Sequence, residues 1–231
     1  MTLTALLLIS SVASHAAKPK GTLDKALHKH LHNAEDNPSA PPPPYILDEA
    51  DQARLNKNEM VFHYEHLKGH DLAFCAVTTW ADKWEVWRAV KALNEYPEYL
   101  EQLDWAKLGR TREEGGVETL EASMHIEIPL LPGDVSVRGY HHIQQGFLSF
   151  HMINAKEKNP FKHGMGYWSV TDFSEGRTLV MMMVDVLPDF PIPNAQRGQI
   201  AESTMPYFVW NVARRAENEF NKRETSFREV D

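Results

Sequence analysis

Cysteine occurs once in the 231 residues, at Cys75. An internal disulfide is therefore excluded, and the fold must stand on its own core. No electropositive run surrounds Cys75, which favours a small buried hydrophobe over a reactive thiol. Positive charge is also scarce: 24 Lys and Arg against 32 Asp and Glu leave a formal net charge of -8. That balance disfavours nonspecific nucleic-acid binding, and no Lys/Arg stripe overturns it. Beyond the first residues, no apolar run is long enough to cross a bilayer as a helix. Glycine-rich nucleotide loops, a nucleophile elbow and zinc-ligand spacings are missing as well. On these grounds no cofactor, no metal and no catalytic residue is assigned.

What is present begins with an apolar leader. Leu3 to Ala13, LTALLLISSVA, has the length of a signal-peptide core, and SHA ending at Ala16 offers small residues for cleavage. The front, MT, lacks the usual Lys or Arg. The expectation is a signal peptide over residues 1–16 and a protein exported to the periplasm or the cell exterior. Residues 17–44 read as a tether, because NPSAPPPP is extended and solvated. His28, His30 and His32 alternate in it, and in a polar tether such histidines more often aid solubility than hold a metal. Residues 45–231 then form one domain, and a hydrophobic share of 42% is enough to give it a real core.

Within that domain, LDEADQARLNKN predicts a short helix with Asp48 near its cap. EMVFHYEHL and LAFCAVTTW read as two strands of a hairpin around KGHD. His63 and His66 are no metal pair, since in a strand they point to opposite sides. Asp82 caps a helix through WEVWRAVKAL, with Val86, Trp87, Val90 and Leu93 on its apolar side. NEYP ends that helix, and PEYLEQL is expected to restart one. Six strands follow: WAKLGRT, VETLEASMHIEI, VSVRGYHHI, FLSFHMINA, GYWSVTDF and RTLVMMMVDVL, with turns at REEGG, LLPGD, QQG, NPFKHG and SEGR. A long amphipathic helix, roughly Ala195 to Arg223, closes the chain, with a kink expected at Pro206.

Alternation assigns the inner face. Leu120, Met124 and Ile126 share one side of their strand, as do Val137 and His141 on the next. A two-residue turn at Gln145–Gly146 would set His141 opposite Phe150 and bring Phe150 and Met152 to the same side. A tight turn at Glu175–Gly176 would pair Trp168 with Met183 and Val170 with Met181, turning Met181, Met183 and Asp185 inward. A slipped turn would reverse that assignment. From the last helix, Met205, Phe208, Val209 and Val212 face the sheet.

The order of elements, with WADKWEVWRAVKALNEYPEYL, IPLLPGDVSVRGYHHI, GYWSVTDFSEGRTLV and IPNAQRGQIAESTMPYFVWNVARRAE, resembles the START-like superfamily, also called SRPBCC, including its polyketide cyclase and coenzyme-Q-binding branches. The likeness covers about residues 48 to 222. It implies an α+β helix-grip fold: a curved antiparallel sheet wrapped around a long C-terminal helix, with two short helices after the first main strand. It also implies a cavity between sheet and helix for a hydrophobic small molecule or lipid, quinone-, fatty-acid- or polycyclic-like. Expected partners are that molecule and, transiently, a membrane, but no nucleic acid. Arg138 enters from the Arg-x-Tyr motif of the resemblance, although strand alternation turns it outward. Three functions stay open: a noncatalytic carrier, a cyclase or hydrolase using His141 with Asp185, and a cavity-free interaction module.

Overall fold

The computed structural model describes residues 47–67, 70–153 and 159–228. The leader, the tether with its three histidines, and the centre of the KGHD turn lie outside the described residues. Helix α1 (Glu49–Asn56) starts where the Asp48 carboxylate accepts the Asp51 N–H at 2.8 Å. That bond satisfies one orphan donor and places negative charge at the positive end of the helix. Strands β1 (Val61–Leu67) and β2 (His70–Thr79) pair antiparallel. His63 bonds Asp51 at 2.9 Å and His66 bonds Asp71 at 2.7 Å, so the two histidines serve separate carboxylates.

Asp82 caps α2 (Lys83–Lys91), accepting the Glu85 N–H at 2.8 Å. Val86, Trp87 and Val90 are buried, whereas Trp84 is 67% exposed, so one tryptophan of the pair seals the core. The second helical piece differs from expectation. A 3-10 turn occupies Leu93–Glu98 with Pro97 near its end, and no helix restarts over PEYLEQL. Tyr96 sets this geometry: its ring is buried and its hydroxyl donates to Val90 O at 2.7 Å, folding the turn back onto α2.

Strands β3 (Leu103–Glu114), β4 (Val117–Ile128), β5 (Leu131–His142), β6 (Phe147–Met152), β7 (Phe161–Asp172) and β8 (Thr178–Pro188) follow as a meander. The eight strands form one antiparallel sheet in the order β1-β2-β8-β7-β6-β5-β4-β3. Helix α3 (Asn194–Arg228) packs on its inner face and continues through Pro206. Several expected turns are partly strand, two of them almost wholly. Pro132, Gly133 and Asp134 pair with β4, leaving a tight turn at Pro129–Leu130 with Leu130 at φ 66°. Phe161 to Gly164 belong to β7.

Register decides which side chains share a face. Between β5 and β6 a 3-10 turn (Ile143–Gln145) replaces the two-residue loop, so His141 pairs with Leu148 and Gly139 with Phe150. This two-residue slip preserves parity, and the face assignment survives. Between β7 and β8 the slip is one residue: Trp168 pairs with Met182 and Val170 with Val180. The turn is wider than two residues, with Glu175 and Gly176 both at positive φ and the Phe173 N–H bonded to Arg177 O at 2.8 Å. A one-residue slip moves every side chain to the opposite face. Met181 and Met183 therefore lie on the outer face, in a second cluster with Leu55, Val61, Phe74 and Tyr167 under α1. Buried Arg177 fastens that layer, donating to Leu55 O at 3.1 Å and to the Asn58 side chain.

Gly166 marks the tightest packing in β7: a Cβ there would lie 2.6 Å from Phe150 Cζ and would also meet the backbone of β8. Gly166→Ala should lower the unfolding free energy by about 1–3 kcal/mol through overpacking. Urea denaturation checks this; an unchanged midpoint would mean the two strands separate more easily than their packing indicates.

Candidate functional site

The inner face carries small residues where α3 begins its passage: Ala73 on β2, Gly164 and Gly166 on β7, and Ala201 on the helix. Phe150 and Met152 occupy the space over the two glycines, and a cavity of about 260 Å³, bordered by Ala73 and Ala201, lies between the sheet and the N-terminal half of α3. Leu120, Met124 and Ile126 of β4, Val137 of β5, Phe150 and Met152 of β6, and Trp168 of β7 line it, as do Met205 and Phe208 of α3. From β8 the wall is Met182, Val184 and Val186. This corrects the inward placement of Met181, Met183 and Asp185, which the β7–β8 register turns away.

Val209 and Val212 do not line the hollow. They are fully buried one and two turns further along α3, in the solid core that the helix makes with the sheet and α2. Arg138 faces outward, as alternation indicated, with Nε and Nη2 donating to Glu121 Oε1 at 2.8 and 2.6 Å. The resemblance had carried it to the cavity, but its position on β5 forbids that.

His141 points inward but sits beyond the far end of the cavity. It is 3% exposed, with its ring 4.4 Å from that of Trp87. Its Nδ1 lies 3.3 Å from Glu118 Oε2, and Lys91 Nζ lies 2.7 Å from the same oxygen. Burial lowers the His141 pKa below its ordinary value, outweighing Glu118, which raises it. Burial also raises the Glu118 carboxyl, but hydrogen bonds from Lys91 and His141 prevail and hold it below the usual range. The cluster closes the end of the grip. Asp185, the proposed catalytic partner of His141, is on the opposite face of the sheet, 3.5 Å from His163 Nε2. The two residues are not brought together.

The cavity's polar end went unread in the sequence. Asp71 is 5% exposed; its Oδ1 accepts from Tyr64 OH at 2.7 Å and its Oδ2 from Arg197 Nη1 at 3.0 Å. His66 Nδ1 completes the set on Oδ1 at 2.7 Å. Burial, then the hydrogen bond to Asp71, raises the Tyr64 pKa far above its ordinary value, so the phenol stays neutral and donates. Gly198 permits this arrangement, because a Cβ there would lie 3.2 Å from Tyr64 Cε1. One signal was available: an Arg one turn into an otherwise apolar helix face, just after IPN. Its partner is hidden in the sequence because KGHD reads as a turn, whereas Asp71 belongs to β2.

No protein-family model and no curated protein matches this sequence, so the likeness is carried by three-dimensional structure. A START superfamily protein from Mycobacterium smegmatis superposes with a TM-score of 0.52 at 15% identity, covering 67% of this chain and 99% of that one. The Zhui aromatase/cyclase from Streptomyces sp. R1128 gives 0.52 at 12% identity, covering 67% and 95%. An 18 kDa protein from Caulobacter crescentus gives 0.51 at 12% identity, covering 67% and 98%. The chain has the START-like helix-grip fold, the α+β architecture expected from its motifs. At these identities the likeness fixes architecture and leaves chemistry to the site.

Two outcomes follow from this geometry. The folded state disfavours protonated His141, so its contribution to stability is complete above the ordinary pKa of 6.5 and is lost as pH falls below it. His141→Phe should therefore flatten the loss of chemical stability measured between about pH 7 and pH 5; an unaltered slope would assign the loss to other groups. Val184→Trp should fill the cavity and weaken binding of an apolar probe at least about tenfold. Met183→Trp, on the opposite face, should cost stability and leave binding intact. The reverse pattern would mean the β8 register is wrong.

Proposed function

We propose that the chain is a noncatalytic binding or carrier protein for a hydrophobic small molecule, quinone-, fatty-acid- or polycyclic-like. The supporting observation is an apolar hollow, walled by methionine, aromatic and branched side chains, with Tyr64, Asp71 and Arg197 joined in its wall. Methionine suits such a wall because its unbranched, polarizable side chain adapts to ligands of different outline. The volume of about 260 Å³ falls just short of the roughly 300–1,000 Å³ of drug-sized sites, which favours one ring system or one acyl chain over a two-chain lipid. Burying about 300 Å² of apolar ligand surface would gain on the order of 7 kcal/mol, part of which ordering the ligand offsets.

An enzymatic reading on this fold has lost its one candidate pair, since His141 and Asp185 lie on opposite faces of the sheet. The cavity counts against a solid interaction module. Export fits a carrier, and residues 1–16 support it through composition alone; N-terminal sequencing of the protein from the expressing cell's envelope, starting at Ala17, would establish it.

Native mass spectrometry of the purified protein should show a copurifying apolar molecule of low mass. After delipidation, titration with quinones, fatty acids and sterol-like probes should give saturable binding to at least one class. Saturation by none of them would sink the carrier reading.

A further inference from the structure

The cavity wall is apolar except in a few places, and two of these hold hydrogen-bonding capacity that the protein does not use. The first is Arg197, which lines the cavity. Its Nε donates to Ile192 O at 2.7 Å and its Nη1 to Asp71 Oδ2 at 3.0 Å. A guanidinium carries five N–H donors, so further donors remain for a guest. The second is Gln102, also in the wall, whose side-chain Oε1 is buried without a hydrogen-bond partner. Buried polar atoms are almost always paired, and an exception inside a cavity points to a partner that arrives with the ligand.

Charge narrows the choice. The polar end holds one carboxylate, Asp71, and one guanidinium, Arg197, already joined as an ion pair. Asp71 is further satisfied by Tyr64 and His66. A ligand carboxylate would bring a second negative charge into an apolar hollow where Arg197, the one Lys or Arg among the described lining residues, is already compensated. Such a charge is costly to desolvate. A neutral oxygen incurs no such cost, yet can still accept from the free guanidinium N–H groups.

We infer that the cavity selects an uncharged, oxygenated apolar molecule: a carbonyl or hydroxyl oxygen accepts from Arg197, and a hydroxyl donates to Gln102. Carboxylates and bare hydrocarbons of the same size bind less tightly. This rests on the ligand-binding reading and specifies the class of ligand.

The test is calorimetric titration of the delipidated full chain at about pH 8, where carboxylic acids are ionised and ordinary imidazoles neutral. The probes are naphthalene, naphthol, acetylnaphthalene and naphthoate. Naphthol and acetylnaphthalene should bind about tenfold tighter than naphthalene, the effect of one hydrogen bond, and naphthoate weaker than either. Arg197→Lys keeps a cation beside Asp71 but loses the planar fork. It should reduce acetylnaphthalene to the affinity of naphthalene and leave naphthalene unchanged. Gln102→Leu should weaken naphthol and spare acetylnaphthalene. Tightest binding by naphthoate, or equal affinities for all four probes in wild type, would overturn the inference while leaving an apolar binding site standing. Failure of every probe, naphthalene included, would overturn both. Should Arg197→Lys prove unfolded by circular dichroism, the wild-type series and Gln102→Leu still decide.

Discussion

The hollow depends on a clamp at the other end of the helix. Glu85 of α2 is 1% exposed, and Arg88 Nη2 lies 2.9 Å from it, with Arg223 of α3 on its second oxygen. Removing either arginine would leave a buried carboxylate undercompensated, which is far costlier than the pair itself is stabilising. Val86, Val209, Val212 and Ala216 are buried in the same core cluster. The C-terminal half of α3 is thus fixed in position, and its N-terminal half is held across the sheet at a distance its own side chains do not fill. An empty volume in a close-packed interior is otherwise costly, because its lining loses dispersion contacts. Here the rigid far end prevents collapse.

The same division separates the polar chemistry. Lys91, Glu118 and His141 form a network beside Trp87 that does not line the hollow. Tyr64, Asp71 and Arg197 form an open one, sharing the wall of the cavity. Both contain a carboxylate and a cation, yet only the second meets the volume where a guest would sit. Geometry, rather than residue type, distinguishes a structural charge cluster from a binding one in this molecule.

Most of the architecture was legible in the sequence because its signals are local. Asp48 and Asp82 announce their helices, and β4 alternates cleanly, with Leu120, Ala122 and Ile126 buried while its outer face carries Glu121, Ser123 and His125. The run TLVMMMVDVL carries no such signal. Strand β8 is covered by the cavity and α3 on one side and by the α1 cluster on the other, so apolar residues occupy both parities. Only the turn could have set its register, and a turn with two successive positive-φ residues, one of them Glu175, cannot be told from a tighter one by composition. The Asp71–Arg197 pair was illegible for a different reason: its partners lie 126 positions apart.

The ladder between β2 and β8 has a consequence for how the molecule is made. Asp71 pairs with Val186, so the seam one strand in from the β1 edge joins segments separated by the whole meander. Closing so long a loop is entropically slow, and such pairings form after local hairpins. During synthesis the early hairpin must wait, with the β8-facing edge of β2 unpaired and its inner face uncovered, until β8 and α3 emerge. In that interval the nascent chain offers unpaired strand edges, the form of a folding protein most exposed to aggregation and most in need of a chaperone.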